Sequence, residues 1–192
     1  MNGISTTPDK NEVRQLVRQR KNALTGYERD LFSARIVETV EQFPPFCRAE
    51  SVLCYWPLPG EVQIGALIRR YFCAKHIYLP VVKGNHLELR RYEGESRMRQ
   101  GAFGIMEPLG DVCGESIDLV IVPGIAFDRS GIRLGRGKGF YDRLFVSLEA
   151  PKVGVAFQCQ LFNKIPADAW DKPVDAIITE TETLWFGNQA LS

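Results

Sequence analysis

The spacing of apolar positions changes near residue 44, and the change separates two kinds of element. Before it, Val13, Leu16, Val17 and Leu24 recur at helical intervals, with Arg20 in the same stripe able to cover apolar surface with its stem. Thr7 as N-cap, Pro8 in the first helical position, and the carboxylates of Asp9 and Glu12 near the positive dipole end set the start of this helix. Thr25-Gly-Tyr-Glu28 has capping-box spacing and predicts a second helix with Phe32, Ile36, Val40 and Phe43 on one face, stopped by Pro44-Pro45. Beyond that point short apolar runs alternate with helical stretches. Strands are predicted over 51–55, 77–79, 87–91, 119–122, 153–157 and 176–178. Helices are predicted over 63–73 and over 140–148, where Tyr141, Leu144, Phe145 and Leu148 form one stripe. Such alternation predicts an α/β layered fold with a mostly parallel central sheet.

The chain of 192 residues fits one domain over 1–192, with no internal repeat or linker, and its 45% hydrophobic and 24% charged residues are ordinary globular proportions. A net charge of +1 argues against a nucleic-acid partner, which would call for a basic surface, so any anion site must be a local concentration of cations. The longest apolar run, 119–127, is far short of the ~20 residues of a membrane span. The polar N-terminus lacks a secretory h-region, which points to the cytoplasm. Cys47, Cys54, Cys73, Cys113 and Cys159 are odd in number with no C-x-x-C pair, and read as buried thiols of a reduced compartment. Two histidines, His76 and His86, make a zinc site or a His-based triad a poor fit.

Segment 122–143 concentrates the candidate chemistry. It follows a buried strand and opens an amphipathic helix, so it belongs beyond a strand's carboxyl end, where open α/β sheets bind ligands. Gly135, Gly137 and Gly139 alternate with Arg136 and Lys138: glycines let backbone N–H groups close on an anion, and the cations supply countercharge. A helix starting near Phe140 adds free N–H donors. Between Asp128 and Arg143 five cations face two carboxylates, a local +3. Ile132 and Gly139 exclude a P-loop, Phe140 excludes a Rossmann fingerprint, and no G-x-S-x-G elbow occurs. A phosphate site fits these residues; on spacing alone, a solvated basic loop remains the alternative. Asp142 and Asp171 are carboxylates of the kind that Mg²⁺ uses together with phosphate oxygens. Equally, Asp142 complements a helix dipole and Asp171 caps a turn or helix.

The run Pro123-Gly-x-x-Phe127-Asp128-x-x-Gly131-x-Arg133-Leu134-Gly135-x-Gly137-x-Gly139-x-Tyr141-Asp142 resembles the 5-formyltetrahydrofolate cyclo-ligase family, also called methenyltetrahydrofolate synthetases. The likeness extends through Lys10-x-x-x-Arg14, Tyr55-Trp-Pro-Leu-Pro-Gly-Glu61, Gly104-Ile-Met-Glu-Pro108, Asp118-Leu-Val-Ile-Val-Pro123 and Asp171-x-x-x-Asp175 with Thr179. The resemblance implies ATP- and Mg²⁺-dependent cyclisation of 5-formyltetrahydrofolate, polyglutamylated or not, to 5,10-methenyltetrahydrofolate, with no obligate protein partner and no membrane. It implies a three-layer α/β sandwich like the sugar-phosphate isomerase and CoA-transferase group. Carried over by position, it places Lys10 and Arg14 at ATP phosphates. Arg133, Leu134, Gly135, Arg136, Gly137, Lys138, Gly139, Phe140 and Tyr141 then form the nucleotide loop, its Arg136–Phe140 part also facing the folate. Trp56 and Glu61 contact folate, with Glu107 a further candidate; Asp142 and Asp171 hold Mg²⁺; Arg133, Lys138 and Tyr141 are catalytic.

Elementary physics bears on several of these roles. On a helix Lys10 and Arg14 are a like-charge i, i+4 pair, unfavourable by about 0.2–0.5 kcal/mol near an end that already disfavours cations, and an anion would offset this. The alternative is a solvated basic face continuing through Arg18 and Lys21. Trp56 offers a flat face to a pterin or aminobenzoyl ring, or a half-buried core ring; Glu61 can accept pterin N–H groups or complement a helix start. Many members carry Gly-Tyr-Gly-Gly-Gly-Tyr-Tyr where this chain has Gly-Arg-Gly-Lys-Gly-Phe-Tyr, and Phe140 can stack on a ring but lacks a phenol donor.

Overall fold

The computed structural model describes residues 8–101 and 104–186. Helix α1 is Lys10–Asn22 and Asp9 is its cap: the Asp9 carboxylate accepts the N–H groups of Asn11 and Glu12 at 2.7 and 2.8 Å, while Glu12 reaches back to the Asp9 N–H. Pro8 therefore precedes the cap instead of opening the helix, and Thr7, the predicted cap, lies outside the described residues. The predicted box at Thr25 and Glu28 caps α2, Gly26–Gln42. Phe43 is extended, as a residue before proline prefers, and Pro44 then opens a short α3, Pro44–Arg48. The remaining helices are α4, Gly65–Tyr71, and α5, Phe140–Ser147.

The first six strands are β1 Ser51–Leu53, β2 His76–Lys83, β3 His86–Arg91, β4 Met98–Gln100, β5 Met106–Pro108 and β6 Leu119–Pro123. The rest are β7 Ala126–Asp128, β8 Arg133–Leu134, β9 Lys152–Val155, β10 Leu161–Phe162, β11 Ala176–Ile178 and β12 Thr183–Trp185. The main sheet has the order β12-β11-β9-β6-β1-β2-β3, parallel throughout except at its two edges. A small sheet, β10-β7-β8, and a β4-β5 hairpin accompany it. The antiparallel β7-β8 pair sits between β6 and the glycine loop, where sequence reading placed one continuous loop.

Alternate residues of the parallel strands serve opposite faces. Val52, Ile77, Leu119, Ile121, Val153, Ala176 and Ile178 join one core with Ile36, Val37 and Val40 of α2 and Leu67 and Ile68 of α4. Leu53, Tyr78, Val120 and Val122 turn to the other face and meet Phe145 of α5. Helices on both faces make three layers, and each fully buried Ile or Leu contributes roughly 1.5–3 kcal/mol. The third core is separate: Val13 and Val17 of α1 pack on Ala126 and Leu134 of the small sheet and on Ile165.

Strand β2 runs through Pro80, past the predicted end at Leu79, because β1 pairs with it only as far as Tyr78; beyond there the missing proline N–H falls on a side with no β1 partner. Cys54 is buried, but Cys47 and Cys73 are exposed and Cys113 and Cys159 half-buried, so the expectation of five buried thiols is wrong; all five are free. No helix among the described residues is long and apolar enough to cross a membrane.

Candidate active site

From β1 the chain crosses to β2 on one side, whereas β6 lies on the other, so strand order reverses between β1 and β6. A crevice opens beyond the carboxyl ends of two strands at such a point. The segment after β1 carries Trp56 and Glu61; the segment after β6 carries the small-sheet hairpin and the glycine loop. Asp128 builds the hairpin turn: its Oδ1 accepts Ser130 N–H, Ser130 Oγ–H and Ile132 N–H at 2.9, 2.7 and 3.1 Å, and Oδ2 accepts Ile165 N–H. The Phe-Asp-x-x-Gly portion of the signature is thus a scaffold that supports Arg133 and the glycine loop.

Arg133 emerges from that scaffold almost fully buried. Its Nη2 donates to Asp142 Oδ1 at 3.1 Å, and its guanidinium lies over the rings of Tyr141 and Phe145 at 5.2 and 5.8 Å. Among the described residues Arg133 Nε is buried with no hydrogen-bond partner. An unpaired donor in a buried cation costs about 1–3 kcal/mol, more than an ordinary core tolerates without return. Gly135 leaves room beside it, since a Cβ there would stand 2.8 Å from Arg133 Nη1 and force the guanidinium to shift. Gly139, at φ 65°, caps α5 in a left-handed conformation, and a Cβ there would meet Arg143 at 2.9 Å. Arg143 braces the loop by donating to Lys138 O and Asn85 O at 2.9 and 3.0 Å and lying over Phe140. Arg136, Gly137 and Lys138 project outward, exposed. Leu134 points its side chain into the third core, so a ligand contact there falls to backbone.

Helix α1 crosses this loop. Arg14 donates to Gly135 O from Nη2 at 3.2 Å and Nε at 3.4 Å. One turn earlier, Lys10 Nζ donates to Asp171 and Asp168 at 2.6 and 2.7 Å. Desolvation alone would lower the Lys10 pKa, but hydrogen bonds and charge from Asp168 and Asp171 outweigh it and hold the pKa above the ordinary value. Asp171 is well covered, and its Oδ2 also accepts the Asp168 N–H at 2.8 Å, fixing the loop that ends at β11. Both expected metal ligands are therefore in ion pairs through one oxygen each. Among the described residues no three His, Cys, Asp or Glu side chains gather. Mg²⁺ at a nucleotide ordinarily takes one or two carboxylates and completes its shell with phosphate oxygens and water, not with a protein cage.

On the other wall Glu61 is largely covered: Oε1 accepts from Arg136 at 2.9 Å and Oε2 accepts the Leu58 N–H at 3.0 Å. Tyr141 is half-buried, and loss of solvent pushes its phenol pKa up against the opposing pull of Arg133, with Glu61 and Cys54 adding to the rise. Trp56 is half-buried and stacks on Tyr92 at 5.8 Å. Sequence reading missed Tyr92 and Asp168, and counted Arg143 only toward the loop's charge. It also counted Arg129 toward the loop's charge, but Arg129 is committed to both oxygens of Glu182, at 2.7 and 3.0 Å.

Residues 6–180 match the 5-formyltetrahydrofolate cyclo-ligase family. The chain belongs to that family. The 5-formyltetrahydrofolate cyclo-ligase of Escherichia coli K12 is 34% identical over 179 residues, covering 87% of this chain and 98% of the relative. The cyclo-ligase of Haemophilus influenzae is 30% identical, with 90% and 98% covered. The solved structure of Aquifex aeolicus 5,10-methenyltetrahydrofolate synthetase superposes with a TM-score of 0.85 at 39% identity, covering 93% of each chain. The cyclo-ligase fold therefore has the same mostly parallel central sheet.

Proposed function

We propose that this chain is an ATP-dependent 5-formyltetrahydrofolate cyclo-ligase, forming 5,10-methenyltetrahydrofolate with release of ADP and phosphate. The observation that carries the reading is the buried Arg133 guanidinium, whose Nε has no partner among the described residues, set between a glycine loop and a Trp-Glu wall. A phosphate group supplies the missing acceptor, and membership of the family supplies the substrate.

A formamide carbonyl is a poor electrophile and its oxygen a poor leaving group. In the proposed reaction the formyl oxygen attacks the γ-phosphorus as the bond to the ADP oxygen breaks. The N10 nitrogen then attacks the activated formyl carbon and loses its proton, and phosphate departs with the former formyl oxygen. No protein nucleophile is needed; the chain supplies alignment and charge. Arg133, Lys138, Lys10 and Arg14 face the phosphates, Tyr141 stands between nucleotide and formyl group, and Trp56, Glu61 and Phe140 bracket the pterin. Asp142 and Asp171 would hold Mg²⁺, whose charge offsets that of the phosphoryl oxygens. Lys10 spends two of its three ammonium N–H groups on Asp168 and Asp171, which leaves the third for a phosphate oxygen. Five free thiols are in keeping with a cytoplasmic setting.

The test mixes the protein with 5-formyltetrahydrofolate, Mg²⁺ and ATP and follows near-UV absorbance, where the conjugated methenyl bridge absorbs at longer wavelength. An ATP-dependent rise matched by phosphate release is the expected result. A flat trace from folded protein that binds ATP overturns the substrate assignment.

A further inference from the structure

The β2–β3 hairpin reaches past the strand ends where the crevice opens, and one side chain ties it to the glycine loop. Strand β1 pairs with β2 only as far as Leu53 and Tyr78, so Leu79–Lys83 run on against β3 alone. Five residues at ~3.3 Å each carry the hairpin about 16 Å beyond the carboxyl end of β1. Lys83 and His86 close the ladder around a Gly84-Asn85 turn, with Gly84 at φ 59°. Arg143 meets that turn from α5, whose Leu144, Phe145 and Leu148 share a core with Leu89 of β3. Its Nε donates to Asn85 O at 3.0 Å, its Nη2 donates to Lys138 O at 2.9 Å, and its guanidinium lies over the Phe140 ring at 5.3 Å.

This placement is unfavourable for an isolated cation. Arg143 closes the first turn of α5, where the helix dipole disfavours positive charge, and among the described residues its hydrogen bonds go to carbonyls and to no carboxylate. What the position offers is geometry: a planar fork holds two backbone segments and a ring at once. Gly139 leaves the space for it, since a Cβ there would stand 2.9 Å from Arg143 Nη1. The Lys138 carbonyl is thereby turned toward α5 while its side chain stands exposed, and Phe140 has its other face left for a substrate ring. Resting on the cyclo-ligase reading, we propose that Arg143 is a positioning residue, which clips the glycine loop to the tip of the β2–β3 hairpin and so sets where Lys138 and Phe140 meet the substrates.

The experiment compares wild type with Arg143→Met, which keeps the apolar stem, and Arg143→Lys, which keeps the charge but not the fork. Turnover of 5-formyltetrahydrofolate with ATP and Mg²⁺ is one readout. Limited trypsin digestion is the other, followed through the fragments that end at the exposed Arg136 and Lys138. Arg143→Met is expected to lower kcat about 10- to 100-fold, the scale of a small misplacement of reacting groups. KM for ATP should move by less than about threefold, because Arg133, Lys10 and Arg14 are untouched. Cleavage after Arg136 and Lys138 should quicken about tenfold while cleavage elsewhere keeps its rate, which a general loss of stability would not produce. Arg143→Lys should stay about fivefold or more below wild type in kcat. A kcat for Arg143→Met within about twofold of wild type, unchanged loop cleavage, or full recovery in Arg143→Lys overturns the clip. Absence of turnover in wild type would instead overturn the functional reading, and the digestion still tests the clip, so the two failures are distinct.

Discussion

Replacing Asp142 by asparagine keeps the shape of the side chain and removes the one carboxylate paired with Arg133. That guanidinium is 5% exposed and Asp142 is 21% exposed, at 3.1 Å. Breaking a buried ion pair by removing one partner costs about 3–5 kcal/mol, because the other charge is left uncompensated. The contact is longer than the ~2.7–2.9 Å of a tight charged hydrogen bond, and Asp142 keeps some access to water, so about 2–3 kcal/mol is the expected loss. For a chain of this size each kcal/mol lowers Tm by roughly 2–4 °C, which gives a fall of about 4–12 °C. Calorimetry of Asp142→Asn reads this directly. Tripolyphosphate should restore part of the loss in the variant by giving Arg133 another counterion. The double variant Arg133→Met/Asp142→Asn should melt above Asp142→Asn, since no buried charge remains. A Tm for Asp142→Asn within about 1 °C of wild type would refute the argument that Arg133 depends on this carboxylate.

Lys138 supplies the contrast. Its exposed side chain has no partner among the described residues, so Lys138→Ala should leave Tm within about 1 °C while lowering turnover about 100-fold or more; a near-normal rate removes Lys138 from catalysis. Tyr92 is 1% exposed and its hydroxyl has no partner among the described residues, so Tyr92→Phe should raise Tm by roughly 2–6 °C, and a lower Tm would show that the hydroxyl has a partner in solution. Asp118 accepts N–H from Ser51 and Glu50 and the Ser51 hydroxyl, at 2.9–3.0 Å, and these bonds depress its pKa, the Ser51 N–H most. A depressed carboxylate contributes stability above its unfolded pKa and loses it as pH falls through the folded value. Denaturant melts should therefore show Asp118→Asn less stable than wild type near neutrality, with the gap closing in acid; a gap of constant size at every pH contradicts the mechanism.

What was legible in the sequence was local or periodic. The Thr25–Glu28 box and the apolar run of β6 announce themselves over a few residues, and alternation of strands and helices implied the layers. The cap of α1 was misplaced because Thr7 and Asp9 are both competent, and only the reach of Glu12 decides between them. Strands β7, β8 and β10 have two or three residues each, too short for a period to register. Site residue types stood out in the sequence, but their partners did not. Arg133 and Asp142 meet across a loop, and Lys10 finds Asp168 and Asp171 from the opposite end of the chain. Charge counting fails for the same reason: Arg129 stands among the loop cations in sequence and leaves them in space for Glu182.

Helix α1 is anchored in the small third core, whereas Trp56 and the strand ends below it belong to the main one. Free energies of local opening follow such divisions, so the main sheet and the α1 unit should exchange amide hydrogens as two cooperative blocks, the smaller opening first. A ligand touching Arg14 on one block and Trp56 on the other adds its binding energy to the seam between them. Saturation would then slow exchange along the whole of α1, including turns that the ligand never reaches, and the two blocks would open as one.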